Sequence, residues 1–236
     1  MNMNGPRLFL EEEIYPPFSG FPPEGIKFLS QLKRHNNRVW FNQNKTRYEE
    51  FVKIPMRSLI SSLKGPMSLI APEIEVNPAK SMFRIYRDIR FSKNKAPYKT
   101  HVSAIFHPKG HWEASAGFYI EIDPDGVYVG GGIYMPNGQQ LKKIRRAIAE
   151  QSERFLAVVG CGPFKKSFGT MEGAKLQRAP LGFPANHPMI EWLKYKQFYA
   201  GVELKTDVCY SAKFVMRLAA LYEDLYPMVQ FFNEAL

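Results

Sequence analysis

The chain has 236 residues, 45% of them apolar, enough for one large domain with a substantial core. Its net charge of +10 points toward anionic partners such as phosphate-bearing small molecules or nucleic acid. Two cysteines, Cys161 and Cys209, without a CxxC pair argue against a disulfide scaffold and a structural zinc. No signal peptide and no apolar run of membrane-spanning length can be read, so the expectation is a cytoplasmic protein with no membrane partner, metal or cofactor.

Residues 1–22 read as an irregular lead-in, with Pro16, Pro17 and Pro22 near its end, and residues 23–236 as a single domain. Pro23 and Glu24 suit a first helical turn, and Ile26, Leu29 and Leu32 recur at helical spacing up to His35. Asn36 and Asn37 then stop that helix, because Asn tolerates the left-handed C-terminal cap. A second, longer helix starts near Arg38, with Phe41, Tyr48, Phe51, Val52, Leu59, Ile60 and Leu63 on one face. Pro55 should kink or split it, and Gly65 with Pro66 should end it.

The middle third changes period. Short strands are expected over residues 73–76, 82–88 and 101–107. Phe118–Asp123 and Val127–Met135, joined by Asp-Pro-Asp-Gly, form the clearest hairpin. Gly130, Gly131 and Gly132 inside its second strand imply a bulge or the close approach of another group. Asn137 and Gln140 have the spacing of a capping box ahead of Leu141, Ile144 and Ile148. Ser152 caps a short helix ending at Gly160, and residues 161–188 read as a long ordered loop. A helix near Pro188–Lys194 and a strand over 196–204 follow. Asp207 caps a last helix that Pro227 breaks. Helices, a block of strands and helices again give an α+β fold, a central antiparallel sheet with helices packed on one face.

Strand parity separates two faces. Phe118, Ile120 and Ile122, with Val127, Val129, Ile133 and Met135, belong to the core, as do Val102, Ala104 and Phe106. The opposite face carries Arg84, Tyr86, Asp88, His101, Ser103, Tyr119, Glu121, Tyr128 and Tyr134. Phe83 and Ile85 are placed on the core side, and Arg87 with them, which requires a partner such as Glu49 or Glu50. The stretch Lys80–Lys99 holds seven basic residues against one acid, Asp88. It supplies a basic rim above this polar floor.

The site expected from this pattern is a pocket for a phosphorylated or carboxylated small molecule. Arg84, Arg90, Lys93, Lys95 and Lys99 provide charge, and Tyr86, Tyr98, Tyr119 and Tyr134 provide hydrogen bonds and ring faces. His101, Asp88 and Glu121 are the candidates for proton transfer if the pocket is catalytic. Two alternatives draw on the same residues: a nucleic-acid-binding module using the basic segment, and a structural or protein-interaction role. His107 and His111 are four apart, but Pro108 and Gly110 make this a turn, so helical metal-ligand geometry does not apply.

The run F-R-I-Y-R-D-I-R-F-S-K-N-K-A-P-Y-K-T-H, Phe83 to His101, resembles the signature of an uncharacterised bacterial and fungal family, domain of unknown function 2461. N-N-R-V-W-F-N-Q-N-K-T-R-Y-E-E, Asn36 to Glu50, is similar to that family's other strong motif, which has an acid where this chain has Val39. G-F-Y-I-E-I, G-G-G-I-Y-M-P, L-K-K-I-R and L-G-F-P-A-N-H-P also fit. The resemblance runs from about Gly20 to the C-terminus. It implies a single α+β domain and brings no activity with it.

Overall fold

The protein is described by a computed structural model covering residues 14–110 and 115–236. Helix α1 spans Pro23–Arg34, with Pro23 at its first position and Phe28, Leu29 and Leu32 buried. Asn37 starts the next helix and does not only stop this one. Its side chain accepts the Trp40 N–H and caps α2, Arg38–Gln43.

The expected long second helix is divided into α2, α3 (Lys45–Tyr48), one π-helical turn (Glu49–Lys53) and α4 (Ile54–Ile70). Pro55 accounts for the π turn. It has no N–H for the Phe51 carbonyl, and its ring needs the extra room that a wider turn leaves. Glycine at position 25 lets α1 approach that same carbonyl, since a β-carbon there would lie 2.1 Å from the Phe51 oxygen. Gly65 and Pro66 do not end α4. The apolar stripe continues past them to the buried Met67, and that burial outweighs one lost hydrogen bond.

Four antiparallel strands lie in sequence order: β1 (Val102–Phe106), β2 (Gly117–Asp123), β3 (Gly126–Ile133) and β4 (Phe198–Leu204). The Asp-Pro-Asp-Gly turn closes β2 on β3 as expected, with Asp123 opposite Gly126. Val102, Ala104, Phe106, Phe118, Ile120, Ile122, Val127 and Val129 are buried, on the face that parity assigns to the core. Helix α10 (Phe214–Ala235) crosses β2 and β3 on that face. The Tyr222 ring lies 4.8 Å from Phe118 and 5.9 Å from Phe106, centroid to centroid. Met135 is 81% exposed instead of buried. Gly132, at a φ of 126°, turns the chain at the end of β3 and carries Met135 out of the alternation.

Residues 82–88 do not form a ladder strand. They make two isolated bridges, Met82 with Ala104 and Tyr86 with Tyr98. The segment leaves β1 after the Phe83 N–H donates to Ser103 O, and then folds back on its own continuation. The Arg87 N–H donates to Pro97 O and the Lys99 N–H to Ile85 O. Pro97, lacking an N–H, cannot complete a regular ladder. The result is an arm, residues 83–99. Residues 73–76 likewise make one bridge, Ile74 to Pro108, and no strand.

Helix α5 (Pro78–Ser81) precedes the sheet, and between β3 and β4 come α6 (Gly138–Glu150) with the complete Asn137–Gln140 capping box, and α7 (Ser152–Gly160). The expected loop contains a helix, α8 (Gly162–Phe168), with Pro163 in its first turn and Phe164 in the core. A short α9 (Ile190–Leu193) leads into β4. Asp207 sits in a 3-10 turn, Thr206–Tyr210, and does not cap α10. Pro227 lies inside α10 without ending it, because Leu225, Met228 and Val229 around it are all buried.

Replacing Gly25 by Ala is expected to lower stability by about 2 kcal/mol or more, since the clash is with backbone and cannot be relieved by a rotamer. Urea unfolding of the purified variant measures it, and an unchanged midpoint contradicts the close-approach argument.

Candidate functional site

The sheet face away from α10 is concave and holds a groove of about 740 Å³. Strand register sets out its floor. Ser103 pairs with Glu121, Glu121 with Tyr128 and Tyr128 with Glu203, so one row crosses all four strands. The neighbouring row runs Ile105, Tyr119, Gly130, Gly201. Tyr128 lies flat over the two glycines: a β-carbon at Gly201 would sit 2.0 Å from its phenolic oxygen, and one at Gly130 would sit 2.9 Å from its ring. The group whose close approach the glycine run implied is therefore the protein's own tyrosine.

A hydrogen-bonded cluster stands at the β1–β2 end. The Tyr119 hydroxyl donates to Glu121 Oε2 at 2.5 Å, and His101 Nε2 lies 3.5 Å from the same oxygen. Burial and the Glu121 hydrogen bond hold the Tyr119 phenol well above its ordinary range, with the Ser103 hydroxyl opposing. Burial lowers the His101 pKa against the pull of Glu121, so the ring is biased toward its neutral, proton-accepting form. Lys99 Nζ sits 4.6 Å from the Phe83 ring centroid. Its pKa is lowered by burial and by the Arg84 charge, with Glu121 acting the other way.

Farther along the groove, Ser115 Oγ is 3.2 Å from His107 Nδ1. Burial pulls the His107 pKa down to about 4. At the β4 end stand Glu172, Glu203, Tyr134 and Tyr199. The Glu172 N–H donates to Tyr199 O at 2.7 Å, which fixes the segment after α8 against the sheet. Burial raises the Glu172 carboxyl pKa, a hydrogen bond from the Gly201 backbone opposes this, and the Glu203 charge adds to it. No group of three or more His, Cys, Asp or Glu side chains suited to a metal ion occurs among the described residues. His111 lies outside the described residues.

Of the residues read from the sequence, Lys99, His101, Ser103, Tyr119, Glu121, Tyr128 and Tyr134 meet in this groove. Arg84, Tyr86, Asp88, Arg90, Lys93, Lys95 and Tyr98 do not line it. They belong to the arm, and the departure of that arm from β1 moves them away. Asp88 is tied to Arg90, Oδ2 to Nη2 at 2.6 Å, which holds its carboxyl down at about 2. Lys95 donates to Ile89 O at 3.0 Å. Tyr98 is buried and stacked on Phe41 at 4.1 Å. Arg87 makes no ion pair with Glu49 or Glu50; its Nη1 donates to Ala96 O at 3.2 Å, and Glu49 pairs with Lys53.

Phe83 was expected in the core and instead edges the groove, opposite Ser103 and 6.4 Å from the Tyr119 ring. Tyr199 and Glu203 are signalled by alternation along β4. Glu172 carries no local signal, because it arrives from a loop.

An antiparallel sheet with one helix-covered face and one open polar face defines the class of protein. The chain belongs to the family described as "Conserved hypothetical protein (DUF2461)", whose pattern matches residues 24–231. Among curated proteins, it is similar to pre-mRNA-processing factor 17 of Saccharomyces cerevisiae, with 30% identity over 117 residues. That stretch is 47% of this chain and 22% of the yeast protein. No solved structure matches significantly. Among the described residues, no helix is long and apolar enough to cross a membrane.

Two outcomes follow from the site geometry. Gly201→Ala should destabilise the protein by roughly 2 kcal/mol, and much of that loss should vanish in a Tyr128→Ala background, because the clash is with that ring. A double-mutant cycle in urea measures the coupling, and strict additivity contradicts it. The depressed His107 pKa gives stability that is complete above about pH 6.5 and is lost as pH falls toward about 4, where the folded state also takes up the proton. The loss amounts to roughly 2–3 kcal/mol. Plots of stability against pH for wild type and His107→Gln should differ in slope between about pH 4 and pH 6.5 and run parallel outside that window.

Proposed function

We propose that the sheet-face groove is a binding site for a small molecule bearing a positively charged amine. The observation that carries this reading is the composition of the lining: Glu121, Glu172 and Glu203 with Tyr119, Tyr128, Tyr134 and Tyr199 face one basic side chain of fixed charge, Lys99. The β4 end is the stronger half, since Glu172 and Glu203 stand there beside tyrosine rings with no lysine or arginine in the lining. Carboxylates and phenol faces together favour an ammonium group, by charge pairing and by attraction to the ring quadrupole.

The opposite end supplies chemistry. Tyr119, Glu121 and His101 share one oxygen and form a unit that can accept or relay a proton from a ligand seated on Tyr128. The anion expected from the basic segment has Lys99 alone as its partner in this groove. The nucleic-acid reading rests on the exposed arm residues Lys93 and Lys95, which lie outside it.

Calorimetric titration with a diamine, a neutral sugar and inorganic phosphate tests the proposal. The diamine should bind better than the sugar, and Glu203→Gln should weaken it by about tenfold, the usual scale for losing one charge-assisted contact. Because burial raises the Glu172 pKa, diamine affinity should fall as the pH is lowered from neutrality and that carboxylate takes up its proton. Tighter binding of the sugar, or phosphate binding that Lys99→Gln weakens and Arg38→Gln leaves unchanged, overturns the reading.

A further inference from the structure

A second, smaller pocket of about 310 Å³ lies between α2 and the 83–99 arm and shares no lining residue with the groove. Arg38 and Asn42 enter it from α2, one helical turn apart and so on the same face. Tyr86 and Arg87 enter from the outgoing side of the arm, with Pro97 and Tyr98 on the returning side.

The wall is built and not merely superficial. Tyr98 is 3% exposed and stacked on Phe41. Its backbone is held by Asn36 in both directions: the Tyr98 N–H donates to Asn36 Oδ1 at 3.0 Å, and Asn36 Nδ2 donates to Tyr98 O at 2.9 Å. Arg87 is half-buried and fixed at two points, its N–H on Pro97 O at 2.9 Å and its Nη1 on Ala96 O at 3.2 Å. The Arg38 charge reaches the Tyr98 phenol.

No carboxylate lines this pocket, and neither Arg38 nor Arg87 forms an ion pair among the described residues. Two guanidinium groups sharing one concavity without an acid repel each other, and a doubly charged anion relieves that repulsion best. Their planar donor arrays match phosphate oxygens, while Asn42 and Tyr86 offer further donors. Ile89, Pro97 and the tyrosine rings give the remaining wall an apolar, flat character suited to a ring on the ester side.

We propose that this pocket binds a phosphomonoester dianion, gripped by Arg38 and Arg87, with its ester group against Tyr86 and Pro97. The site is independent of the amine-binding groove and does not rest on that reading.

Titration of the full chain with phenyl phosphate, inorganic phosphate and benzoate, followed by calorimetry, tests it. Phenyl phosphate should bind saturably and about tenfold or more tighter than benzoate, because benzoate matches only one of the two guanidinium charges. Arg38→Gln, at an exposed helix position, and Arg87→Gln should each weaken phenyl phosphate by about tenfold or more. Arg84→Gln with Lys93→Gln, on the same arm but outside the pocket, and Glu203→Gln, in the groove, should leave it within about twofold. Arg38→Gln keeps the test valid should Arg87→Gln unfold the arm. No saturable binding overturns the proposal. So does equal binding of benzoate, or a loss in the Arg84→Gln, Lys93→Gln double variant as large as in the Arg38 and Arg87 variants, the signature of a diffuse basic surface.

Discussion

The seating of α10 beneath β2 and β3 governs what the rest of the molecule can do. Tyr222 against Phe118 and Phe106 fills the centre of the core, and apolar residues from the strands, Ile105 excepted, point toward that layer. With one face of the sheet fully used for burial, the alternation of side chains sends the polar residues of all four strands to the other. The groove is the remainder of that division. Tyr119 and Glu121 are held on β2, and His101 stands immediately before β1, which is why the three meet at a single oxygen.

Much of this was legible in the chain. Period-two alternation found β1, β2, β3 and β4 and assigned Ser103, His101, Tyr119, Glu121 and Tyr128 to one face. Local turn and cap chemistry found the Asp-Pro-Asp-Gly hairpin and the Asn137–Gln140 box. These signals are visible because each depends on neighbours within a few residues. Failures occurred where a distant contact outweighed a local rule. Gly65, Pro66 and Pro227 punctuate the sequence, but Met67, and Leu225, Met228 and Val229 around Pro227, are buried deeply enough for helix to continue through them.

The arm is the most instructive departure. Met82–Asp88 alternates like a strand and begins as one on β1, with Phe83 bonded to Ser103, yet beyond Phe83 it leaves β1 and pairs with its own continuation. That exchange shifts the basic segment off the sheet. Charge that looked like a rim over the polar floor instead meets α2, and a groove richer in glutamate than in lysine is left behind. Glu172 completes that groove from a loop, and Arg38 completes the smaller pocket from a helix far earlier in the chain. Neither juxtaposition has a local sequence signature.

The Asn36–Tyr98 clasp has a separate meaning for the motions of the protein. It joins residues 62 apart through two backbone hydrogen bonds on one side chain, where the arm meets the N-terminal helices. The arm otherwise contributes isolated bridges and no ladder. Segments held in this way open at lower free energy than the sheet beneath them. The two concavities therefore belong to different cooperative units. The arginine pocket exists only while the clasp is closed, whereas the floor of the groove persists until the sheet itself unfolds. Occupancy of one can then report on arm opening while the other stays intact.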